Sequence, residues 1–250
     1  MAGANAECLE GVEGTLNFRA VQTARAGRLI FVGDIHGCYA ELVELLSRVA
    51  PRGDDVVVSV GDVVTKGPDA PRCLDLWRER GFLAVRGNNE NKVLASARPL
   101  LRFVALENGD ILRRGDLLRY IASWPLVLDF PADDVAAVHG GFLPGMNVTA
   151  EEVERERGVL PKLRWIRKTD GAWVAVPKEK KRKDDVLWSE KWKGDRFAVY
   201  GHTPLREAKF DRRALGLDTG CVYGGSLTAA ILENGEWTTL SVAAKQQYAE

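Results

Sequence analysis

Histidine is scarce in this chain, with three in 250 residues, and cysteine is almost as rare, with four. Cys8, Cys38, Cys73 and Cys221 are scattered without a C-x-x-C pair, which excludes a disulfide framework and a zinc knuckle. No apolar run approaches the ~20 residues of a membrane span. A cationic segment followed by an apolar one is missing at the amino terminus, Glu7, Glu10 and Glu13 argue against a transit peptide, and Tyr248-Ala249-Glu250 is no peroxisomal address. Net charge is absent too: 35 Lys and Arg balance 35 Asp and Glu. No global field therefore draws the chain to DNA or to a membrane surface. Together these absences predict a reduced, soluble protein of the cytoplasm or another intracellular compartment, and the length and 46% hydrophobic content fit one large core.

What the chain does have is a recurring pattern. Leu29 to Val32 is an apolar run that reads as a strand buried on both faces, and it stops at Gly33 to present Asp34 and His36. Ala40 to Ala50 follows with Leu42, Val43, Leu45, Leu46 and Val49 at helical spacing. Val56 to Val60 repeats the device and delivers Gly61-Asp62; after a helix over residues 70–80, Phe82 to Val85 delivers Gly87-Asn88-Asn89-Glu90. Residues 91–124 read as helical in pieces. Asp134 to Val138 delivers His139-Gly140-Gly141, and Thr149-Ala150-Glu151-Glu152 has the form of a capping box. Phe197 to Tyr200 delivers Gly201-His202, and Ala214 to Leu217 delivers Asp218. Leu227 to Leu232 and Trp237 to Val242 close the chain as a hairpin around Asn234-Gly235. A short strand is expected near Leu16 to Ala20, inside a loosely ordered lead-in over 1–27; the main domain runs over 28–242 and a tail over 243–250. Residues 161–195 form a basic insert, with eleven Lys or Arg against six Asp or Glu and four tryptophans.

All three histidines, His36, His139 and His202, thus follow an apolar strand and stand beside a glycine, and Asp34, Asp62 and Asn88 occupy equivalent places. Packing alone does not explain such a coincidence. A mixed carboxylate, imidazole and amide set suits Mn, Fe, Zn or Co better than Ca, with Mg also admissible, and the lack of cysteine argues against structural zinc. Six ligands exceed the need of one catalytic ion. Two ions about 3.5–4 Å apart can generate hydroxide near neutral pH and clamp the oxygens of an in-line displacement at phosphorus. The predicted chemistry is phosphoester or phosphoanhydride hydrolysis.

Gly33-Asp34-Ile35-His36-Gly37, Gly61-Asp62 with Lys66-Gly67, Gly87-Asn88-Asn89-Glu90, His139-Gly140-Gly141 and Gly201-His202 resemble, in order and spacing, the phosphoprotein phosphatase family of calcineurin-like metallophosphoesterases. Lys66-Gly67-Pro68 and the block from Gly216 to Thr228 look most like the symmetrical diadenosine tetraphosphatases and the ApaH-like phosphatases. The resemblance implies an α+β fold: a β-sandwich flanked by helices, with metals at the strand carboxyl ends. It implies that Asp34, His36 and Asp62 hold one metal and that Asp62, Asn88, His139 and His202 hold the other. Asp62 bridges them, and a metal-bridging hydroxide attacks. It further implies that Lys66 and Arg164 contact substrate phosphate; Tyr223, and Trp165 with it, could stack an adenine.

The chain departs from the protein phosphatases of that family at a dyad. They carry Asp and Arg where Thr65 and Lys66 stand, and His where Asn89 stands. The Asp and His protonate a leaving alkoxide. Asn89 holds the catalytic position but cannot act as an acid, a role that contributes about 10²–10⁴ in rate. A leaving phosphate, with a second ionisation near ~6, needs that proton far less. The expected substrate is therefore a nucleoside polyphosphate such as diadenosine tetraphosphate. Polyphosphate or capped RNA reached through the basic insert, a protein serine/threonine phosphatase, and a non-catalytic phosphate-binding scaffold are the alternatives.

Overall fold

The computed structural model describes residues 14–15, 17–23, 27–97 and 109–250; Cys8, Leu16, most of the lead-in and the stretch 98–108 lie outside the described residues. The chain opens with β1 (Gly14–Thr15) and β2 (Phe18–Ala20). Three parallel strands follow, β3 (Leu29–Val32), β4 (Val56–Ser59) and β5 (Leu83–Ala84), each leading into a helix: α1 (Tyr39–Val49), α2 (Ala70–Glu79) and α3 (Asn88–Ser96). Helices α4 (Gly109–Arg113) and α5 (Gly115–Ala122) precede β6 (Val127–Phe130) and β7 (Val135–Val138), and α6 (Ala150–Glu156) comes next. The insert supplies β8 (Trp165–Thr169), β9 (Ala172–Val176) and β10 (Val186–Leu187). The remainder is β11 (Phe197–Tyr200), β12 (Lys209–Asp211), β13 (Ala214–Gly216), β14 (Ser226–Glu233) and β15 (Glu236–Ala243).

Two sheets stack. One has the order β15-β14-β3-β4-β5, the other β1-β2-β6-β7-β11-β13-β12, and the insert makes a third, small sheet, β10-β8-β9. Because successive strand side chains point to opposite faces, each apolar strand serves two layers. Leu29 and Phe31 of β3 face inward between the sheets, where they meet Phe130, Val135, Ala137 and Val199. Ile30 and Val32 of the same strand face α1 and α2 through Leu42, Leu45 and Leu74. The outer face of the second sheet, from Ala136, Val138 and Tyr200, is covered by Phe142, Trp188 and Trp192. This is the helix-flanked sandwich that the resemblance implied. Burying each large apolar side chain contributes about 1.5–3 kcal/mol, so three layers drawn from the same four-residue strands make those strands the most costly parts to disturb.

The entry to β3 is tied electrostatically. Arg28 Nη2 and Asp55 Oδ2 are 2.6 Å apart, with side chains 9% and 0% exposed, and Asp55 also accepts from the backbone N–H of Arg28 and of Arg52. A buried pair of this kind is costly to break from one side.

Several sequence expectations shift in detail. Val43, placed with the core face of the first helix, is 43% exposed, because the buried stripe runs through Leu42, Leu45 and Val49. The strand over 127–130 has no clear alternation in sequence and is found only in the structure, where all four residues are buried. Helix α3 starts at Asn88, so Asn88 and Asn89 lie on its first turn and not in a loop. Thr149 accepts from the N–H of Glu152, but the Glu152 carboxylate turns to the N–H of Asn147, so only half of the capping box forms. The basic insert is a folded sheet with Ile166, Leu187, Trp188 and Trp192 buried. The tail packs as well: Lys245 N–H and Tyr248 O–H both donate to Glu41 Oε1.

Candidate active site

The parallel strands of each sheet end level with one another. Val32 of β3 pairs with Ser59 of β4, and Val138 of β7 pairs with Tyr200 of β11. The tips that follow therefore reach the same edge of the sandwich, and Asp34, Asp62, His139 and His202 converge there. The turns that present them are tight. His36 has φ 47°, Asp62 53° and His202 65°, in the left-handed region where a non-glycine residue costs of order 1–3 kcal/mol. Gly87 and Gly201 are required by close approach: a Cβ would stand 2.2 Å from Asp62 Oδ1 at the first and 2.1 Å from Asp34 Oδ1 at the second.

Asp62 is the centre of the cluster. Its carboxylate lies 3.6 Å from His36 Nε2 through Oδ2 and 3.3 Å from His139 Nε2 through Oδ1. One ligand atom each from Asp34, His36 and Asp62 lies within 4.8 Å of the others, and the same holds for Asp62, His139 and His202. Asn88 Oδ1 is 3.1 Å from His139 Nε2 and so joins the second group. The six residues named from sequence are thus brought together, four of them at most 4% exposed and two, Asn88 and His202, half-buried at the rim.

The residues fit a pair of cations. His36 Nδ1 lies 3.0 Å from the Val64 carbonyl, His139 Nδ1 2.8 Å from the Val60 carbonyl, and His202 is hydrogen-bonded to the Lys162 backbone. With Nδ1–H donated to a carbonyl, the Nε2 lone pair of His36 and His139 is aimed at carboxylate and amide oxygens that also carry lone pairs. For His139 a proton or a metal ion reconciles such a set, while His36 Nε2 also has the Lys66 ammonium beside it; the backbone-anchored imidazole is the usual outer support of a metal ligand. The protonation behaviour agrees. Burial and then the Asp218 charge push the Asp34 carboxyl well above the usual range. Burial opposes charge on His139, yet Asp62 and Asp34 raise it to about 10; burial lowers His36 to about 4. Only His139 thus carries a proton against burial, held by the two neighbouring carboxylates, whereas burial keeps His36 neutral with its Nε2 lone pair free to ligate.

Lys66 Nζ already stands 3.0 Å from His36 Nε2 and 5.2 Å from the centre of the Tyr223 ring. Arg164 Nη2 donates to the His202 carbonyl at 2.5 Å, while its buried Nε has no partner among the described residues. Asn89 is buried and its Nδ2 donates to Asp62 Oδ2. Lys66, Asn89, Arg164 and Tyr223 all line one cavity of about 650 Å³ with the metal-ligating candidates.

Glu90, quoted in the motif but given no role from sequence, is the support of the site. Its Oε2 accepts the N–H of Asp62 at 2.9 Å and of Gly87 at 2.8 Å, and its Oε1 accepts the N–H of Val63 and Val64. Fully buried, it is raised to about 7 by desolvation and by the Asp62 charge. The signal was available: Glu at the third position of a helix is the reaching half of a capping box. Glu90→Gln puts an amide N–H₂ against backbone donors, and we expect metal affinity to fall about 10–100-fold, read by titration with Mn²⁺; unchanged affinity with an intact fold would refute this role. Asp218, buried at the cavity with Gly220 N–H on Oδ1, and Lys92 and Lys162 were also missed, while of the basic run over 178–183, read from sequence as able to hold distal phosphates, Lys178 reaches the cavity. Their place depends on contacts far apart in sequence.

Comparison with known proteins gives the family. The model of the calcineurin-like phosphoesterase family matches residues 27–237. The chain is 32% identical to the symmetrical bis(5'-nucleosyl)-tetraphosphatase of Chromohalobacter salexigens, over 82% of this chain and 95% of that one. It is 29% identical to an asymmetrical bis(5'-nucleosyl)-tetraphosphatase of Halalkalibacterium halodurans (79% and 87% covered) and 30% identical to serine/threonine-protein phosphatase 1 of Salmonella typhimurium (81% and 90%). A crystal structure described as that of a candidate diadenosine tetraphosphatase superposes with a TM-score of 0.78 at 31% identity, over 91% of this chain and 98% of the other. On the match over 27–237 and these relatives, the chain belongs to the calcineurin-like phosphoesterase family of metal-dependent phosphohydrolases.

Proposed function

We propose that this chain hydrolyses phosphoanhydride bonds in dinucleoside polyphosphates, with bis(5'-nucleosyl) tetraphosphates as its substrates. Asp34, His36 and Asp62 would hold one divalent ion and Asp62, Asn88, His139 and His202 a second, with Mn²⁺ the best match to this oxygen and nitrogen set and Fe, Zn, Co or Mg the alternatives. Such a pair, when bound, supplies an activated water near neutral pH and neutralises charge on the phosphate oxygens.

The chain's own groups do the rest. Lys66 brings a point charge to the phosphate, and Arg164, with a free Nε beside the cavity, brings a planar donor edge. Tyr223 carries Lys66 across its ring face and offers an apolar plane to a base. Asn89 donates an N–H toward the reaction centre through its contact with Asp62 but releases no proton. That last observation carries the reading. A phosphate leaving group departs without a proton that an alkoxide needs. The relatives named as tetraphosphatases support the same substrate class. The relative named as a serine/threonine phosphatase keeps phosphoprotein hydrolysis as the second reading.

Product analysis by anion exchange tests both. Metal-reconstituted protein is incubated in parallel with diadenosine tetraphosphate, a phosphoserine peptide, inorganic polyphosphate and capped RNA, with Asp62→Asn as the blank. We expect mononucleotides from the first substrate; ADP alone marks a symmetrical cut, and ATP with AMP an asymmetrical one. Release of phosphate from the peptide alone would replace the reading with the second.

A further inference from the structure

The wall of the cavity opposite the metal-ligating candidates is built by the insert. Trp165, the first residue of β8, pairs with Val176, the last of β9, so this end of the hairpin is its open end. Arg164 lies one residue before the pair and Pro177 one residue after, and both line the cavity. The hairpin thus holds the chain around Arg164 beside the chain around Lys178. Lys162, in the short 3₁₀ turn from Leu160 to Lys162, lines the same cavity, and its backbone is bonded to His202.

The cations of the cavity divide into two groups by their partners. Lys66 is engaged with His36 and Tyr223, Arg164 with the His202 carbonyl, and Lys92 with Asn89 Oδ1 at 3.4 Å. All three sit against the reaction centre. Lys162 and Lys178 have no side-chain hydrogen bond or ion pair among the described residues, and both are exposed. The rest of the basic run, from Lys180 to Lys183, does not line the cavity. Lys181 rests on the Trp165 ring at 4.3 Å, outside the cavity lining, and the Arg182 backbone N–H is taken by Asp185. Only the first two residues of the run, Lys178 and Glu179, reach the cavity wall. A phosphate at the metal-ligating cluster would meet Lys66 and Arg164 first. A longer anionic chain continuing from it toward the insert meets Lys162 and Lys178.

We propose that Lys162 and Lys178 form a distal phosphate subsite, carried by the open end of the insert hairpin, that selects oligophosphate chains over single phosphates. This rests on the phosphoanhydrolase reading for its biological substrate but not for its geometry. The two ammonium groups need no rearrangement of the fold to engage, since neither gives up an existing partner. Their contribution falls on binding of the chain and not on the chemistry at the first phosphorus.

Isothermal titration of metal-loaded protein with adenosine 5'-(β,γ-methylene)triphosphate and with orthophosphate tests the subsite. Lys162→Ala and Lys178→Ala should each weaken binding of the triphosphate analogue about tenfold, the scale of one charge-assisted hydrogen bond, and leave orthophosphate within about twofold. The ratio of the two affinities should also narrow as KCl is raised, through screening of exposed charge. Lys183→Ala, in the same run but outside the cavity lining, should change neither. Equal weakening of both ligands, or an unchanged ratio in the double variant, overturns the subsite. Loss of the ratio in protein that fails to cut diadenosine tetraphosphate would retain the subsite and remove the reading of the substrate. No fold is at risk in these exposed positions.

Discussion

Asp62→Asn lowers turnover of every phosphorylated substrate by about 10³-fold or more, because it removes the one charge that both candidate ion sites share. The geometry makes this the largest single effect available. Asp62 stands 3.3 Å from His139 and 3.6 Å from His36, and accepts the Asn89 backbone N–H at 2.9 Å. Asparagine keeps the shape and one acceptor but forfeits the negative charge offered to both candidate ion sites. Metal content by mass spectrometry should fall below two ions per chain, and far-ultraviolet circular dichroism should be unchanged. Activity within tenfold of the unaltered protein, with two ions retained, would show that the cluster is not organised around Asp62.

Asn89→His combined with Thr65→Asp raises hydrolysis of alkyl and aryl phosphate monoesters by about 10², the lower range of a general acid, while anhydride hydrolysis changes by less than about threefold, since phosphate leaves unaided. Thr65 has φ 69°, a conformation that is strained for a β-branched residue and easier for aspartate. Its buried hydroxyl has no hydrogen-bond partner among the described residues, so no hydrogen bond seen there is lost. Asn89 already points its side chain at Asp62, so a histidine there starts from the right direction. Measured kcat/KM for p-nitrophenyl phosphate and for diadenosine tetraphosphate, side by side, decides the matter. Equal changes for both substrates would remove the leaving-group argument, and with it the main physical reason to prefer anhydrides.

How much could be read before the structure varies with the range of the interaction. Strands such as Leu29–Val32 and Phe197–Tyr200 are continuous apolar runs between turn residues, and local pattern is enough to find them. Leu126 to Phe130 is interrupted by Asp129, whose charge is accommodated only because Arg196 Nε meets it at 2.7 Å from 67 residues away. No local signal announces that strand. The six metal-ligating candidates were legible because each follows a strand and stands beside a glycine, a constraint written within five or six residues. Glu90 was half legible: its capping role is local, but the Asp62, Val63 and Val64 donors it satisfies lie on another strand tip.

The sequence alone determined the chemistry at the centre, since ligand type and turn geometry are properties of short segments, and the resemblance of those segments to a known family implied the sandwich. What the tertiary structure decided was everything that depends on which distant segments share a wall. It turned the insert from a charged interruption into a hairpin over the cavity, and it separated Lys178 from Lys181 within one basic run. It also left Lys162 and Lys178 without side-chain partners among the described residues while Lys66 and Arg164 were engaged. Charge and composition are additive along a chain and can be counted there, but proximity is created only when the sheets stack.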